Sequence, residues 1–218
     1  MHPPMAALPP RESWVQRGLW LIRATLAWTA IEGAASVLAG IYAGSVVLIG
    51  FGADSFIEIL SAVVIHRRLA AEARGVSGRE AESQESRALW IVAVPFFLLA
   101  AYIAAKGVAA LWFDQSPEQS TVGMVVTACA LVIMPLLGRA KRRVGNALRS
   151  QALIADAKET VASAWLAAIT LVGLALNAGF GWGWADPLAA LLLVPLLFFE
   201  GRAALEEARE DRDDPVVG

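Results

Sequence analysis

Six long apolar stretches dominate this sequence and limit the folds that the chain can adopt. Each is long enough to cross the hydrocarbon core of a bilayer, which takes about 20 helical residues. A helix can do so because it satisfies its backbone hydrogen bonds within the segment. The stretches fall at residues 18–39, 45–65, 88–112, 121–138, 152–177 and 184–204. The sequence therefore predicts an all-α membrane protein with six transmembrane helices.

Composition agrees with a membrane location. Hydrophobic residues make up 57% of the 218 residues and charged residues 17%, whereas soluble domains are usually about half apolar and a quarter charged. The formal net charge of −2 indicates neither a nucleic acid nor an acidic partner. A single cysteine, Cys129, excludes an internal disulfide.

Basic residues are distributed unevenly among the connections. Residues 66–87 and 138–150 are rich in arginine, while the segments AGIYAG, FDQSPEQS and NAGFGWGWAD contain neither lysine nor arginine. Cytoplasmic connections carry the excess of Lys and Arg, and aromatic residues collect at the membrane interfaces. We therefore expect both basic connections and both termini in the cytoplasm. Trp112, Trp182 and Trp184 are then expected at the outer interface.

The chain is expected to form one membrane domain. Residues 1–16 are Pro-rich and lack the basic-then-apolar layout of a signal peptide, so they are predicted to form a flexible N-terminal tail. Residues 17–206 hold the six helices. Residues 207–218 form a charged C-terminal tail that is too short for a folded soluble domain.

Asp54 and Glu58 interrupt the second apolar stretch, within GADSFIEIL. An ionisable residue near the bilayer centre costs at least ~2.5–3.5 kcal/mol on insertion scales, so its presence points to function. Residues four apart lie on one face of a helix, where two unpaired carboxylates repel each other unless a cation or a proton is bound. The alternative is that one or both pair with Lys106, or stay protonated as structural polar groups.

The fifth stretch contains a second polar set, in SQALIADAKETVASAW. Asp156, Glu159 and Ser163 lie within about 60° of one helix face. The second and fifth helices run in opposite directions. If they pack side by side, Asp54 is expected level with Ser163, and Glu58 level with Glu159. Oxygen-bearing side chains from two helices would then surround one ion.

These motifs resemble the membrane domain of the cation diffusion facilitators, which export divalent metals. GSVVLIGFGADSFIE is similar to the family's Gly-Ser, apolar run, and a pair of ligands four residues apart, which places Asp54 and Glu58 on two ligand positions. GRAKRRVGNALRSQALIADAKETVAS is similar to its basic connection and second ligand pair. This places Glu159 and Ser163 on ligand positions, with Asp156 just before them. WADPLAALL resembles the start of the family's sixth helix.

The sequence departs from the family at several ligand positions. Glu58 and Glu159 stand where the family usually has Asp and His, and Ser163 supplies no charge, which makes Asp156 a candidate fourth ligand. The family's His-Pro-Phe-Gly-His phrase and its soluble C-terminal domain are not expected in this chain. His66 is interpreted as a solvated interfacial residue, with a weak accessory metal site as the alternative.

The resemblance implies a divalent metal efflux transporter, not an enzyme, that exchanges metal for protons by alternating access. Clustered carboxylates must lose their protons when a metal binds, so one site holds either metal or protons. Oxygen ligands are compatible with zinc, manganese, iron or cobalt, and the sequence does not choose among them. Zinc is the leading substrate because the family carries it most often. The metal is cargo, and no cofactor is expected.

The alternative function is a metal-binding membrane protein or subunit that does not transport, since the fourth ligand position lacks a charge. The expected partners are the lipid bilayer of the cell membrane and a second copy of the chain, with no nucleic acid. Small residues in AIEGAASVLAG are candidates for the contacts of this homodimer. The roles of Glu32, Lys106 and His66 stay open.

Overall fold

The computed structural model describes residues 11–73 and 79–213, without the side chains at 61, 64–73, 79–92, 151–152 and 207–213. Within these ranges the chain forms helices and no strand, which confirms the predicted all-α class. The helices are α1 (Arg11–Ala43), α2 (Val46–Ala73), α3 (Arg79–Trp112), α4 (Thr121–Leu148), α5 (Gln151–Phe180) and α6 (Ala185–Asp213).

Five of these helices hold a segment long and apolar enough to cross a membrane, counted over the described residues alone. The segments are Arg11–Ala43, Ala93–Trp112, Thr121–Leu148, Leu153–Phe180 and Ala185–Glu206. The chain is therefore built as a multi-pass membrane protein, and the span predicted at 45–65 within α2 stays a prediction. The predicted tails lie partly outside the described residues, although α1 already begins at Arg11 and α6 continues to Asp213.

The second helix lies at the centre of the bundle. It packs against α1, α3, α5 and α6, while α4 packs against α1 and α5. The contact with α1 is close, since a Cβ atom added to Gly52 would lie 2.7 Å from the backbone nitrogen of Val37. Gly33, Ser36 and Gly40 are buried in this contact. The small-residue face predicted for dimer contacts is thus used inside the chain.

Helix α4 continues well beyond the predicted end of its apolar stretch. Gly138 and Gly145 suggest a connection by composition, but both are helical and pack closely on Val161 and Ile154 of α5. The turn between the helices is short: Arg149 adopts a left-handed conformation (φ 56°), and the hydroxyl of Ser150 caps α5. Much of the predicted basic connection is therefore helix packed against α5.

A carboxylate from another helix caps the start of α2. Asp186, in the first turn of α6, accepts hydrogen bonds through Oδ1 from the amides of Val46 (2.9 Å) and Val47 (3.4 Å). Its Oδ2 accepts one from the hydroxyl of Ser45. Unpaired amides and the helix dipole both favour an anion at this end of a helix. The contact fixes α2 relative to α6.

Asp186→Ala is expected to lower the free energy of unfolding by about 1–2 kcal/mol, because the first amides of α2 lose their acceptor. Thermal unfolding in detergent measures the change. Glu118→Ala serves as the control, since Glu118 is exposed near the same end of the bundle. Equal melting of the two variants would contradict a stabilising role for this cap.

Candidate metal site

The two carboxylates of α2 lie inside the bundle. Asp54 is 5% exposed and Glu58 is 2% exposed, and the apolar neighbours Phe51 and Ile57 are also buried. The bundle interior thus surrounds both acids with little water. A buried carboxylate needs a hydrogen bond, a counter-charge or a proton. The partners of each acid therefore decide what this region can bind.

Glu58 faces α5 directly. Its Oε2 accepts a hydrogen bond from the hydroxyl of Ser163 (3.3 Å), and its Oε1 lies 3.4 Å from the hydroxyl of Thr160. The sequence placed Ser163 level with Asp54, whereas its hydroxyl contacts Glu58. The contact of Glu58 with Thr160 lies one residue from the expected pairing with Glu159. The second and fifth helices nevertheless meet as predicted.

The buried face of α5 differs by one position from the predicted face. Asp156, Thr160 and Ser163 are buried, whereas Glu159 is only half-buried. Residues 159 and 160 lie on either side of the line through 156 and 163, so spacing alone does not decide which of them points inward. Glu159 is the expected ligand of the two, because a carboxylate binds a metal ion better than a neutral hydroxyl group. The structure assigns the inward position to the threonine.

A lysine from α4 also enters this region. Lys141 is fully buried, and its Nζ lies 2.8 Å from Oδ2 of Asp156, which is itself 1% exposed. The same Nζ donates a hydrogen bond to the hydroxyl of Thr160 at 2.9 Å. The contact is a short charge-assisted ion pair.

Thr160 links the ion pair to Glu58. Its hydroxyl accepts from Lys141 and has one proton to donate. The backbone carbonyl of Asp156 lies 2.9 Å from this oxygen, closer than the carboxylate of Glu58. One hydroxyl thus contacts three polar groups of the site while donating to one of them at a time.

Two further acids approach the same region from α1 and α6. Glu32 is 1% exposed; its Oε1 accepts a hydrogen bond from Ser55 (3.0 Å), and the indole of Trp28 also interacts with its carboxyl group. Glu200 is half-buried and lies within Coulombic range of Asp54 and Glu58. The sequence left the role of Glu32 open. Glu200 lies in the predicted sixth span, at the start of the charged sequence EGRAALEEARE, and the sequence did not single it out.

Glu58 is the common neighbour of these charges. Coulombic interactions connect it to four other acids and to one cation, namely Glu32, Asp54, Asp156, Glu200 and Lys141. The carboxylates therefore outnumber the ammonium groups in the described part of this interior. Yet no three His, Cys, Asp or Glu residues among those described converge closely enough to hold a metal ion.

The other two lysines lie outside this region. Lys106 and Lys158 are exposed, and the lysine that pairs with a site acid is Lys141. The alternative pairing of the α2 acids with Lys106 therefore has no support in the burial pattern. His66 lies outside the residues whose side chains are described, as does His2.

A family comparison identifies the chain. The model of the cation efflux transmembrane domain matches residues 85–211, which is more than half of the sequence. The chain belongs to the cation efflux family. Members of this family are transporters of metal ions rather than enzymes. A comparison with curated proteins gives no match.

The family match covers one side of the candidate site. It includes Lys141, Asp156 and Ser163, and it begins after the Asp54–Glu58 pair. Membership in the family therefore rests on α3 to α6, independently of the two acids in α2. The packing of α2 against α5 brings the two sets together.

Thr160→Val is expected to lower the free energy of unfolding by about 1–3 kcal/mol, because it removes the hydrogen-bond acceptor of a buried ammonium group. Thr160→Ser keeps the hydroxyl and is expected to restore most of this loss. Denaturant unfolding in detergent measures both variants, with Thr121→Val at an exposed position as the control. Wild-type stability of Thr160→Val would exclude a stabilising role for this hydroxyl.

Proposed function

We propose that this cation efflux transporter exports a divalent metal ion in exchange for protons, at a carboxylate site between α2 and α5. The main observation in support is that the carboxyl groups around Glu58 outnumber the buried ammonium groups among the described residues. Glu58 itself contacts α5 through the hydroxyl groups of Thr160 and Ser163. Uncompensated charges are too costly to keep in a membrane interior. Protons or a divalent cation are the natural compensation.

The metal ligands in this proposal come from both helices. Asp54 and Glu58 supply carboxylates from α2, and Asp156 supplies one from α5 in place of the uncharged Ser163. Glu159 completes the set if α5 rotates slightly inward, since it is half-buried beside this face. All of these atoms are oxygens, which suit manganese, iron and cobalt as well as zinc. Zinc stays the leading substrate by family resemblance alone.

Proton exchange follows from the same electrostatics. Metal binding requires deprotonated carboxylates, so a divalent ion that enters the site releases protons. When the ion leaves, the carboxyl groups must take up protons again or remain as unpaired buried charges. Each state of the site is thus close to neutral, which favours coupling of metal movement to proton movement in the opposite direction.

The orientation of the transporter in this proposal follows from the charge distribution. Arg17, Arg23 and Arg143 lie around one cavity at the end of the bundle formed by the start of α1 and the end of α4. Trp112, Trp182 and Trp184 are exposed at the opposite helix ends. The positive-inside rule puts the arginine end in the cytoplasm.

Cysteines introduced at Asn146 and Ser116 test this orientation. An impermeant thiol reagent is expected to label Ser116→Cys from outside and Asn146→Cys only from inside.

Metal flux into proteoliposomes tests the function. Purified protein is supplied with zinc, manganese, iron or cobalt, while a trapped dye reports internal pH. Glu58→Gln is expected to reduce flux of the transported ion at least about tenfold, which corresponds to ~1.4 kcal/mol. Glu118→Gln, an exposed acid in the connection before α4, is the matched control and is expected to transport normally.

Three results separate the possible outcomes. Metal flux with opposite proton movement, lost in Glu58→Gln, supports the proposal. Metal binding without flux in the wild type would favour the alternative, a metal-binding membrane subunit. Normal flux in Glu58→Gln would place the transported ion away from this site.

A further inference from the structure

Lys141 is the one buried ammonium group among the described residues, and the proposed exchange does not by itself require it. It lies on α4, outside the helix pair that supplies the proposed ligands, yet it reaches two residues of α5. Its relative exposure is 0%. Buried lysines in membrane helices are rare and commonly belong to ion or proton pathways.

We infer that Lys141 is a tethered counter-cation of the metal site, which holds Asp156 when no metal is bound and is displaced from it by the transported ion. The inference rests on the proposed function and deepens it, since it names a residue that sets the strength and the selectivity of metal binding. Lys141 acts here by competing for a ligand, without contributing an electron pair to the metal.

The arrangement of the acids supports competition. The carboxyl groups surround Glu58, but no three of the described metal-ligating residues converge on one point. Asp156 is an α5 carboxylate within Coulombic range of Glu58. In this structure Asp156 is committed to Lys141 at 2.8 Å. Release of that ion pair is the step that frees a charged α5 ligand.

The charges of the ion pair favour replacement by a divalent ion. Asp156 is held in this structure by the single positive charge of Lys141 at 2.8 Å. Coulombic attraction scales with the product of the charges. A divalent ion therefore attracts Asp156 about twice as strongly as the ammonium group at the same distance. A monovalent ion offers no such advantage, so competition with Lys141 disfavours monovalent cations.

The displaced lysine has a route to water. Lys141 is followed directly by Arg142 and Arg143, both exposed, so the arginine end of the bundle lies within one helical turn. A lysine side chain can extend along apolar surface to place its charged end at an interface. We expect displacement to proceed by a rotamer change of Lys141, without unwinding of α4.

Amine labelling tests the displacement on the native lysine. The chain has three lysines, and Lys106 and Lys158 are exposed. In the double variant Lys106→Arg/Lys158→Arg, Lys141 is the sole lysine. We expect a small amine-reactive reagent to modify Lys141 at least about tenfold faster when Zn²⁺ or Mn²⁺ is bound, because the metal releases its ammonium group from Asp156. A tenfold ratio of rates corresponds to ~1.4 kcal/mol. Peptide mass spectrometry separates this site from the N-terminal amine.

Metal affinity provides a second measurement at the same pH. Lys141→Gln is expected to bind the transported ion about tenfold more tightly and to discriminate less against Na⁺ and K⁺, because the competitor is gone. Lys141→Arg keeps the cation and is expected to stay near the wild type. Arg142→Gln removes an exposed charge from the adjacent position and is expected to leave affinity unchanged. If Lys141→Gln does not fold, the labelling experiment decides alone.

The outcomes distinguish this inference from the proposed function. If the wild type binds metal while Lys141 stays protected, the ion pair is a structural link between α4 and α5 and the inference is wrong. Unchanged or weaker metal affinity in folded Lys141→Gln would also overturn it. Absence of Zn²⁺ and Mn²⁺ binding by the wild type would overturn the proposed function, and this inference with it.

Discussion

An excess of acidic side chains inside an apolar bundle is the constraint on which the rest of this structure depends. Glu58 interacts with acids from α1, α2, α5 and α6, and Lys141 from α4 is the ammonium group that the described residues set against them. Such a set is costly for folding alone, since buried ion pairs seldom repay their desolvation. The arrangement is understandable in a transporter, where a mobile cation or protons complete the balance.

The scaffold holds these charges in register by ordinary packing and capping. Asp186 fixes the start of α2, and close contacts at Gly52 fix α2 against α1. The short turn at Arg149 and Ser150 keeps α4 antiparallel to α5 and brings Lys141 beside Asp156. Polar contacts with defined geometry therefore position a site whose own charges repel one another.

Much of this organisation could be predicted from the sequence. Length and hydropathy reveal the helices, and the spacing of Asp54 and Glu58 reveals an acidic face in α2. Thr160 was missed because it carries no charge and competes with Glu159 for one helix face. Lys141 and Glu200 were missed because each begins or lies within a charged run. Their burial depends on how far α4 and α6 continue and on which helices pack beside them, and a hydrophobic pattern does not contain that information.

The location of the bound ion tests the central claim most directly. Anomalous scattering from crystals of the protein grown with Mn²⁺ or Zn²⁺ would place the metal without reference to transport. The account predicts a single strong peak between α2 and α5, within coordination distance of Glu58 and Asp156, with Lys141 moved away from Asp156. A peak beside Glu32 and away from α5, or at the arginine end of the bundle, would contradict it.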